Sequence, residues 1–187
     1  MRVIAGSCKR LLLKTPPGLE TRPTADKYKE TLFNVLQTYI YSDTKFLDLF
    51  SGSGGIGIEA LSRGAEYAVF VDRSKAAINC IEDNLKTTRL RDKAFVINND
   101  AMTALYQLNG KYVFDIIFMD PPYGMDLERG VLDFLSKTSM INDDTVIVVE
   151  IRNDTDIDYL YDEASPYEIF KIKEYKTNSH VFIKLRS

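Results

Sequence analysis

The chain has 187 residues, of which 45% are hydrophobic, and a formal net charge of −3 at pH 7. This length suits one domain with a substantial core, and no apolar stretch is long enough for a signal peptide or a membrane span. We therefore predict a single domain over residues 1–187, a cytoplasmic location and no membrane attachment. Two cysteines, Cys8 and Cys80, are too few for a disulfide framework or a metal cluster, so no metal is expected.

Basic residues are concentrated at the start of the chain. Residues 1–29 contain seven lysines and arginines against two acidic residues, which gives this segment a charge of +5 and leaves −8 for the rest. Such an asymmetry can direct a local positive field at a phosphate backbone even when the whole protein is mildly acidic. A solvated basic face is an equally open interpretation of the charges alone.

The N-terminal segment predicts a small hairpin. Arg2 to Ala5 and Arg10 to Lys14 flank Gly6-Ser7, and the Pro16-Pro17-Gly18 sequence then ends regular structure. We predict that this basic hairpin is an extension over residues 1–21 that lies outside the core.

An amphipathic helix and an alternation of strands and helices follow. Hydrophobic residues recur at helical spacing from Thr24, which suits an N-cap, to Ile40. Strands are then predicted at 45–50, 67–71, 94–98, 114–119 and 145–151, and helices at 54–63, 74–88, 101–107 and 126–137. That rhythm predicts a parallel sheet with covering helices.

The last two apolar runs close the sheet. Tyr167 to Tyr175 and His180 to Leu185 are separated by too few residues for a helix, so they should pair as a hairpin with one antiparallel strand. The resulting fold class is α/β, with a Rossmann-like, mostly parallel seven-stranded sheet of the class I methyltransferase type over residues 22–187.

A glycine-rich turn joins the first strand of this pattern to a helix, in FLDLFSGSGGIGIEALSRG at residues 46–64. Such a turn aims backbone N–H groups and a helix N-terminus at a ligand. Gly52, Gly54 and Gly57 have the G-x-G-x-x-G spacing of dinucleotide sites, so an oxidoreductase that uses a dinucleotide is one alternative.

Three aspartates stand where predicted strands end. Asp48, just before the glycine turn, would repel a pyrophosphate and suits a cofactor with positive charges, such as S-adenosylmethionine. Asp72 follows Gly52 by 20 residues and can accept both hydroxyls of a ribose, although it could also cap the next helix. Asp100 would face the exocyclic amine of an adenine, and a helix N-cap is an open alternative.

The most specific local motif is Asp120-Pro121-Pro122-Tyr123, at the end of the fourth predicted strand. Methyl transfer to the exocyclic amine of a base is difficult because the nitrogen lone pair is delocalised into the ring. Asp120 and the Pro121 carbonyl can accept the two amine hydrogens, while the prolines stiffen the turn. Tyr123 can stack on the base. A simple strand-ending turn is the alternative.

Two further side chains have weaker positional arguments. Tyr28, on the first helix, is a second tyrosine that could touch substrate. His180 is the only histidine, and it lacks a partner motif in the sequence. We predict that His180 is structural rather than a general base.

These motifs resemble the RsmD family, bacterial 16S rRNA (guanine-N2)-methyltransferases that use S-adenosylmethionine. The resemblance covers most of residues 2–123, in RVIAG, RPTADK, ETLFN, LDLFSGSGGIGIEALSRGA, VDRS and DPPY. The segment RPTADK separates this family from other Asp-Pro-Pro-Tyr enzymes, such as the adenine-N6 methyltransferases. After about Ile151 the chain has no motif that can be aligned with the family.

The resemblance implies methyl transfer to the N2 atom of a guanine in 16S rRNA, either naked or in an assembling small ribosomal subunit. It implies a cofactor loop with neighbouring acids, at Asp48, Ser51, Gly52, Gly54, Asp72 and Asp100. It implies a catalytic turn at Asp120, Pro121, Pro122 and Tyr123. It places Arg22, Pro23 and Thr24 near the active-site mouth and implies that the basic hairpin holds rRNA. The residues expected to bind substrate or RNA are Arg2, Lys9, Arg10, Arg22, Thr24 and Lys27.

The sequence also leaves two other functions open. An adenine-N6 methyltransferase acting on DNA or RNA would share the catalytic turn. A non-catalytic RNA-binding module could keep the same fold. No zipper or long apolar surface helix indicates a dimer, so a monomer is expected.

Overall fold

The computed structural model describes residues 1–16 and 23–186, with the side chains of residues 23–25 excepted. The strands are β1 (Lys45–Leu49), β2 (Tyr67–Asp72), β3 (Ala94–Asn98), β4 (Ile116–Met119), β5 (Val146–Arg152), β6 (Tyr167–Glu174) and β7 (Asn178–Leu185). The helices are α1 (Pro23–Leu36), α2 (Gly55–Ser62), α3 (Lys75–Thr88), α4 (Ala101–Leu108), α5 (Leu127–Leu135) and α6 (Asp158–Tyr161).

All seven strands form one sheet in the order β3-β2-β1-β4-β5-β7-β6. The five strands from β3 to β5 are parallel, and β7 is antiparallel to both of its neighbours. The predicted seven-stranded sheet with one antiparallel strand is therefore confirmed. Chain order reverses at β1, which has β2 on one side and β4 on the other. Ligands of open α/β sheets bind at this switch point, outside the carboxyl ends of the strands.

Helices cover both faces of the sheet, because side chains alternate between the two faces along each strand. Helices α4 and α5 pack on one face through residues such as Leu105 and Leu132. Helices α1, α2 and α3 pack on the other through residues such as Phe33, Ile58 and Ile81. Within residues 1–16 and 23–186, no helix combines the length and apolar character needed to cross a membrane.

Most element boundaries fall within two residues of the prediction. Helix α1 begins at Pro23, so Thr24 lies in its first turn and is not the predicted N-cap. Proline suits the first helical position because its fixed φ is helical and no N–H is needed there. The helix ends at Leu36 and continues as a 3-10 turn over Gln37–Tyr39. Helix α6 was not predicted, because one turn is too short to show a period.

The N-terminal hairpin forms, but it belongs to the core. Val3 and Leu11 are joined by a backbone hydrogen bond of 2.9 Å, and Arg2 pairs with Leu12 as an antiparallel bridge. Val3, Cys8 and Leu13 are buried in the cluster on the α1 face of the sheet. For the described residues 1–16, the prediction that this segment lies outside the core is wrong, because these three side chains are buried against the helices and the sheet. Residues 17–21 lie outside the described part of the chain.

A buried ionic cluster fastens the hairpin to two helices. The carboxylate of Glu59, on α2, accepts hydrogen bonds from the backbone N–H groups of Ile4 and Ala5, at 2.8 and 3.0 Å. It also pairs with Lys29 Nζ at 3.2 Å and Arg63 Nε at 2.8 Å. Lys29 and Glu59 are almost fully buried, so this cluster has no competing water.

Candidate active site

The largest opening at the switch point is a cavity of about 500 Å³, which we call the switch-point cavity. It lies at the carboxyl ends of β1 to β4. Of the predicted residues, it brings together Gly52, Asp72, Asp100 and the turn from Asp120 to Tyr123. It also contains residues that the sequence reasoning missed, namely Phe50, Arg73, Asn99 and Met102. All four stand next to the end of a strand or the start of a helix, which is the only signal that could have indicated them.

The glycine turn shapes one wall of this cavity. Gly52 has a φ of 54°, its N–H donates to Asp72 Oδ2 at 2.9 Å, and a Cβ added there would meet no protein atom within 4 Å. Its backbone therefore leaves open space beside the cavity. Gly57 has the opposite role, because an added Cβ would lie 2.4 Å from the ring of Phe70. Gly57 lets α2 pack closely on the sheet.

Ser51 holds the turn in place. Its Oγ donates to the carbonyl of Asp48 at 2.6 Å, and its backbone N–H donates to the carbonyl of Val71 at 3.0 Å. The end of β1 is thus tied to β2. Gly54, with a φ of 73°, precedes α2 and donates its N–H to the Ser51 carbonyl at 2.7 Å. Ser51 and Gly54 therefore act through the shape of the loop.

The acids at the ends of β1 and β2 are held by backbone donors. Asp72 Oδ1 accepts the Ser74 N–H at 2.8 Å, while the hydroxyl of Ser74 itself caps α3. Asp72 is thus not the helix cap, and its carboxylate faces the cavity. Asp48 is buried, and its Oδ2 accepts the Gly57 N–H at 2.9 Å. Burial, with the nearby acids adding to it, raises the pKa of Asp48 well above its usual range.

Asp100 is the N-cap of α4. Its two carboxylate oxygens accept the N–H and the hydroxyl of Thr103, at 2.9 and 2.7 Å, and these bonds lower its pKa. The alternative of a helix cap is thus confirmed. The carboxylate also lines the switch-point cavity, so contact with an adenine remains a prediction.

The Asp120 side chain stands between two cavities. One is the switch-point cavity, and the other is a cavity of about 280 Å³ on the α1 face of the sheet. We call the second one the acidic cavity, because Asp48, Asp120 and Glu150 line it. Asp120 is exposed by its surface area, but protein atoms surround it in the cleft, and this partial desolvation together with the Glu150 carboxylate raises its pKa.

Tyr123 lies on the other side of the turn. Its ring is half exposed, lines the switch-point cavity, and has the Arg152 guanidinium 6.0 Å from its centre. Tyr123 is not among the residues that line the acidic cavity, whereas Tyr28 is. The structure therefore brings a tyrosine to each cavity.

A hydrogen-bonded network missed by the sequence reasoning borders the acidic cavity. His180 is buried on β7, and its Nε2 lies 3.1 Å from Glu150 Oε2 on β5. Its Nδ1 lies 3.0 Å from the hydroxyl of Tyr175, whose ring stacks on Tyr28 at 4.1 Å. Asn178 donates to the other Glu150 oxygen. The partner of His180 is distant in sequence, so no local motif could show it.

The predicted RNA-binding residues that the structure describes are exposed. Lys9, Arg10 and Lys27 are exposed. Arg2 is also exposed, but its guanidinium is paired with Asp26 at 3.1 Å. Arg22 and the side chain of Thr24 lie outside the described residues, so their predicted roles stay predictions.

The residues of the switch-point cavity fit S-adenosylmethionine. Gly52 leaves room for a ligand against the backbone, and Asp72 offers a carboxylate to a ribose. Phe50 and Met102 supply apolar surface for a purine ring. Asp48 is buried and lines the acidic cavity instead of this one, so its predicted contact with the cofactor stays a prediction.

Comparisons with known proteins show the family of this chain. The model of the family "Conserved hypothetical protein 95" matches residues 1–184. "Putative rRNA methyltransferase YlbH" of Bacillus subtilis is 46% identical over 80% of this chain and 82% of its own length. "Ribosomal RNA small subunit methyltransferase D" of Haemophilus influenzae is 36% identical over 82% of this chain and 80% of its own.

A solved structure shows the same fold over the whole chain. "Putative methyltransferase yhhF from Escherichia coli" matches with a TM-score of 0.84 and 29% identity, covering 100% of this chain and 98% of that chain. The family match and the relatives show that this chain belongs to the family of Conserved hypothetical protein 95, the RsmD-like methyltransferases that depend on S-adenosylmethionine.

Proposed function

We propose that this protein methylates the exocyclic N2 atom of a guanine in small-subunit rRNA. The observation that carries the proposal is the place of Asp120, between the switch-point cavity and the acidic cavity. A cofactor in the first cavity and a base in the second would meet at this side chain. S-adenosylmethionine, when bound, supplies an electrophilic methyl group on a sulfonium.

The catalytic turn would make the base amine reactive. The Asp120 carboxylate and the Pro121 carbonyl accept its two hydrogens, which leaves the nitrogen lone pair free to turn toward the methyl group. The rigid prolines keep both acceptors in that geometry at little further entropic cost. Formation of the new N–C bond would break the bond between the methyl carbon and the sulfonium sulfur and leave a neutral thioether. The nitrogen would then have to lose one proton, and Asp120 is the nearest base on this turn that can take it. The raised pKa of Asp120 suits that step at neutral pH.

The nature of the substrate is supported by charge and by the relatives. Lys9, Arg10 and Lys27 are exposed cations that can contact phosphates of an RNA. Relatives at 35–36% identity bear the name ribosomal RNA small subunit methyltransferase D. We propose the same RNA as the partner of this chain, naked or within an assembling small subunit, and therefore action in the cytoplasm as a monomer.

Methyl transfer assays test this proposal. Labelled S-adenosylmethionine is incubated with naked 16S rRNA and with partly assembled small subunits, and the methylated nucleoside is identified by mass spectrometry. N2-methylguanosine is expected. N6-methyladenosine would instead support the adenine-N6 alternative, and transfer to neither RNA form would contradict the proposed substrate.

A matched pair of variants tests the turn. Asp120→Ala should lower kcat at least about 100-fold, because a preorganised hydrogen-bond acceptor is lost. Asp144→Ala, at an exposed loop position, is the control and should keep full activity. Full activity of the Asp120→Ala variant would contradict the role of this turn.

A further inference from the structure

We infer that Glu150 selects guanine by accepting the hydrogen of its ring N1 atom, an inference that rests on the proposed function. Guanine presents two donors side by side on its Watson–Crick edge, N1–H and the N2 amine. Adenine presents an acceptor at N1. A carboxylate beside the Asp120 turn therefore attracts the edge of guanine and repels that of adenine.

The position of Glu150 follows from the sheet. Strands β4 and β5 are parallel, with Met119 paired to Val149, so Asp120 and Glu150 are neighbours at the same edge. Both line the acidic cavity. Glu150 does not line the switch-point cavity, so it is not needed there for the cofactor. The two carboxylates can thus accept from two adjacent donors of one base.

The geometry around Glu150 makes it a fixed acceptor. His180 contacts one of its oxygens at 3.1 Å, and Asn178 donates to the other. Its side chain is 19% exposed, so one part remains accessible from the cavity. Each carboxylate oxygen has two acceptor positions, and one contact to each leaves a position free. The network thus fixes the carboxylate without using all of its capacity.

The remaining walls suit a planar base. Tyr28 and Phe118 line the acidic cavity, and aromatic rings stack on bases of any sequence. Tyr28 is itself held against Tyr175, whose hydroxyl lies 3.0 Å from His180. Stacking thus holds the base, and the carboxylates read its edge.

Base substitution at the target nucleotide tests the inference. The guanosine that wild type methylates is first located, and RNA is then assembled by ligation with 2-aminopurine at that position. This analogue keeps the N2 amine but has an unprotonated N1. Wild type should methylate it at least about 100-fold less efficiently than guanine, in kcat/KM, because the N1 lone pair faces the Glu150 carboxylate.

Three variants distinguish specificity from structure. Glu150→Gln should lower kcat/KM for guanine and reduce the preference over 2-aminopurine to below about 10-fold, because an amide N–H can donate to N1. Glu150→Asp should be slower but keep the preference for guanine. Glu168→Gln, an exposed position on β6, should leave both values unchanged.

The outcomes are separable. An equal loss on both bases in Glu150→Gln, with the stabilisation by S-adenosylmethionine in a thermal shift assay preserved, would overturn the inference and leave only a positioning role. Efficient methylation of 2-aminopurine by wild type would overturn it as well. Absence of N2-methylguanosine in the wild-type product would instead be a failure of the proposed function.

Discussion

Replacement of Glu59 by glutamine should destabilise the protein far more than any change at its surface. The glutamine has the same shape, so no cavity forms, but it carries no charge and keeps only one oxygen. Lys29 would lose its partner at 3.2 Å, and one of the two backbone N–H groups now bonded to Glu59 would lose its acceptor. Arg63 is less affected, because its Nη1 also donates to Gln37.

The magnitude follows from the burial of both charges. Loss of one member of a buried ion pair costs about 3–5 kcal/mol, because the other charge is left without compensation. The free energy of unfolding of a domain is about 5–15 kcal/mol, so this is a large share. With a urea m-value of about 2–3 kcal/mol/M, the midpoint of unfolding should fall by roughly 1–2.5 M. Urea titration followed by circular dichroism measures this shift.

The effect should depend on pH in a defined direction. Burial lowers the pKa of Lys29, and Glu59 opposes that change. Without the carboxylate, the folded-state pKa falls further below the unfolded value. The unfolded chain then binds more protons between these two values, so the stability of the variant should rise as the pH rises through that interval. The difference from wild type should narrow between pH 7 and about pH 9.5.

Two comparisons make the reasoning refutable. The exposed Glu66→Gln change should shift stability by less than about 0.5 kcal/mol. Lys29→Met added to Glu59→Gln should cost much less than the sum of the two single changes, because the uncompensated charge is gone. A Glu59→Gln loss below about 1 kcal/mol, or strict additivity, would refute the account of the ionic cluster.

Three further predictions concern the active site. The rate of methyl transfer should fall as the pH drops through the raised pKa of Asp120, because only the ionised carboxylate accepts the amine hydrogens. Glu150→Gln removes a neighbouring negative charge, so it should shift this fall in rate to lower pH. Gly52→Ala should weaken S-adenosylmethionine binding at least about 10-fold in calorimetry, with a loss of only about 1–2 kcal/mol in the free energy of unfolding. Gly57→Ala should mainly lower the free energy of unfolding, by about 1–3 kcal/mol. Lys9→Gln should raise KM for RNA and reduce the slope of log affinity against log salt by about 1.

Each of these three predictions has an outcome that would contradict it. If Glu150→Gln left the pH dependence at low pH unchanged, the charge of Glu150 would not be a cause of the raised pKa of Asp120. Equal stability losses in the two glycine variants, with unchanged cofactor affinity, would contradict their different surroundings. Lys137→Gln is the control for Lys9→Gln. Lys137 follows the end of α5 and is paired with Asp133. An equal effect of the two variants on the salt slope would contradict a localised RNA surface.

The sequence predicted the sheet well because its signals are local and regular. Alternation of apolar strands with amphipathic helices predicted a parallel sheet, and the short link before β7 indicated an antiparallel strand. Asp72 and Asp120 were found because they stand where strands end. Parallel strands bring such ends to one edge, so position along the chain was enough.

Other features depend on contacts that no local pattern shows. The partner of His180 is Glu150, 30 residues away on a neighbouring strand, so the network at the acidic cavity appears only when β5 and β7 pair. The N-terminal segment was predicted to lie outside the core because it has the pattern of a small hairpin that ends at Pro16-Pro17-Gly18, before the first predicted helix. Its burial comes from single apolar residues such as Val3, whose pairing with Leu11 carries no strong periodic signal.

Three consecutive residues of α1 have separate surroundings, since successive side chains on a helix point about 100° apart. Lys27 faces solvent, Tyr28 lines the acidic cavity, and Lys29 is buried against Glu59. One helix therefore contributes an exposed cation, an aromatic ring that lines the acidic cavity and a buried cation paired with Glu59. A chimera between relatives would have to exchange three features together, namely the hairpin, this helix and the carboxylate of Glu59. Replacement of one of them alone would remove the hydrogen bonds or the ion pair that join it to the other two.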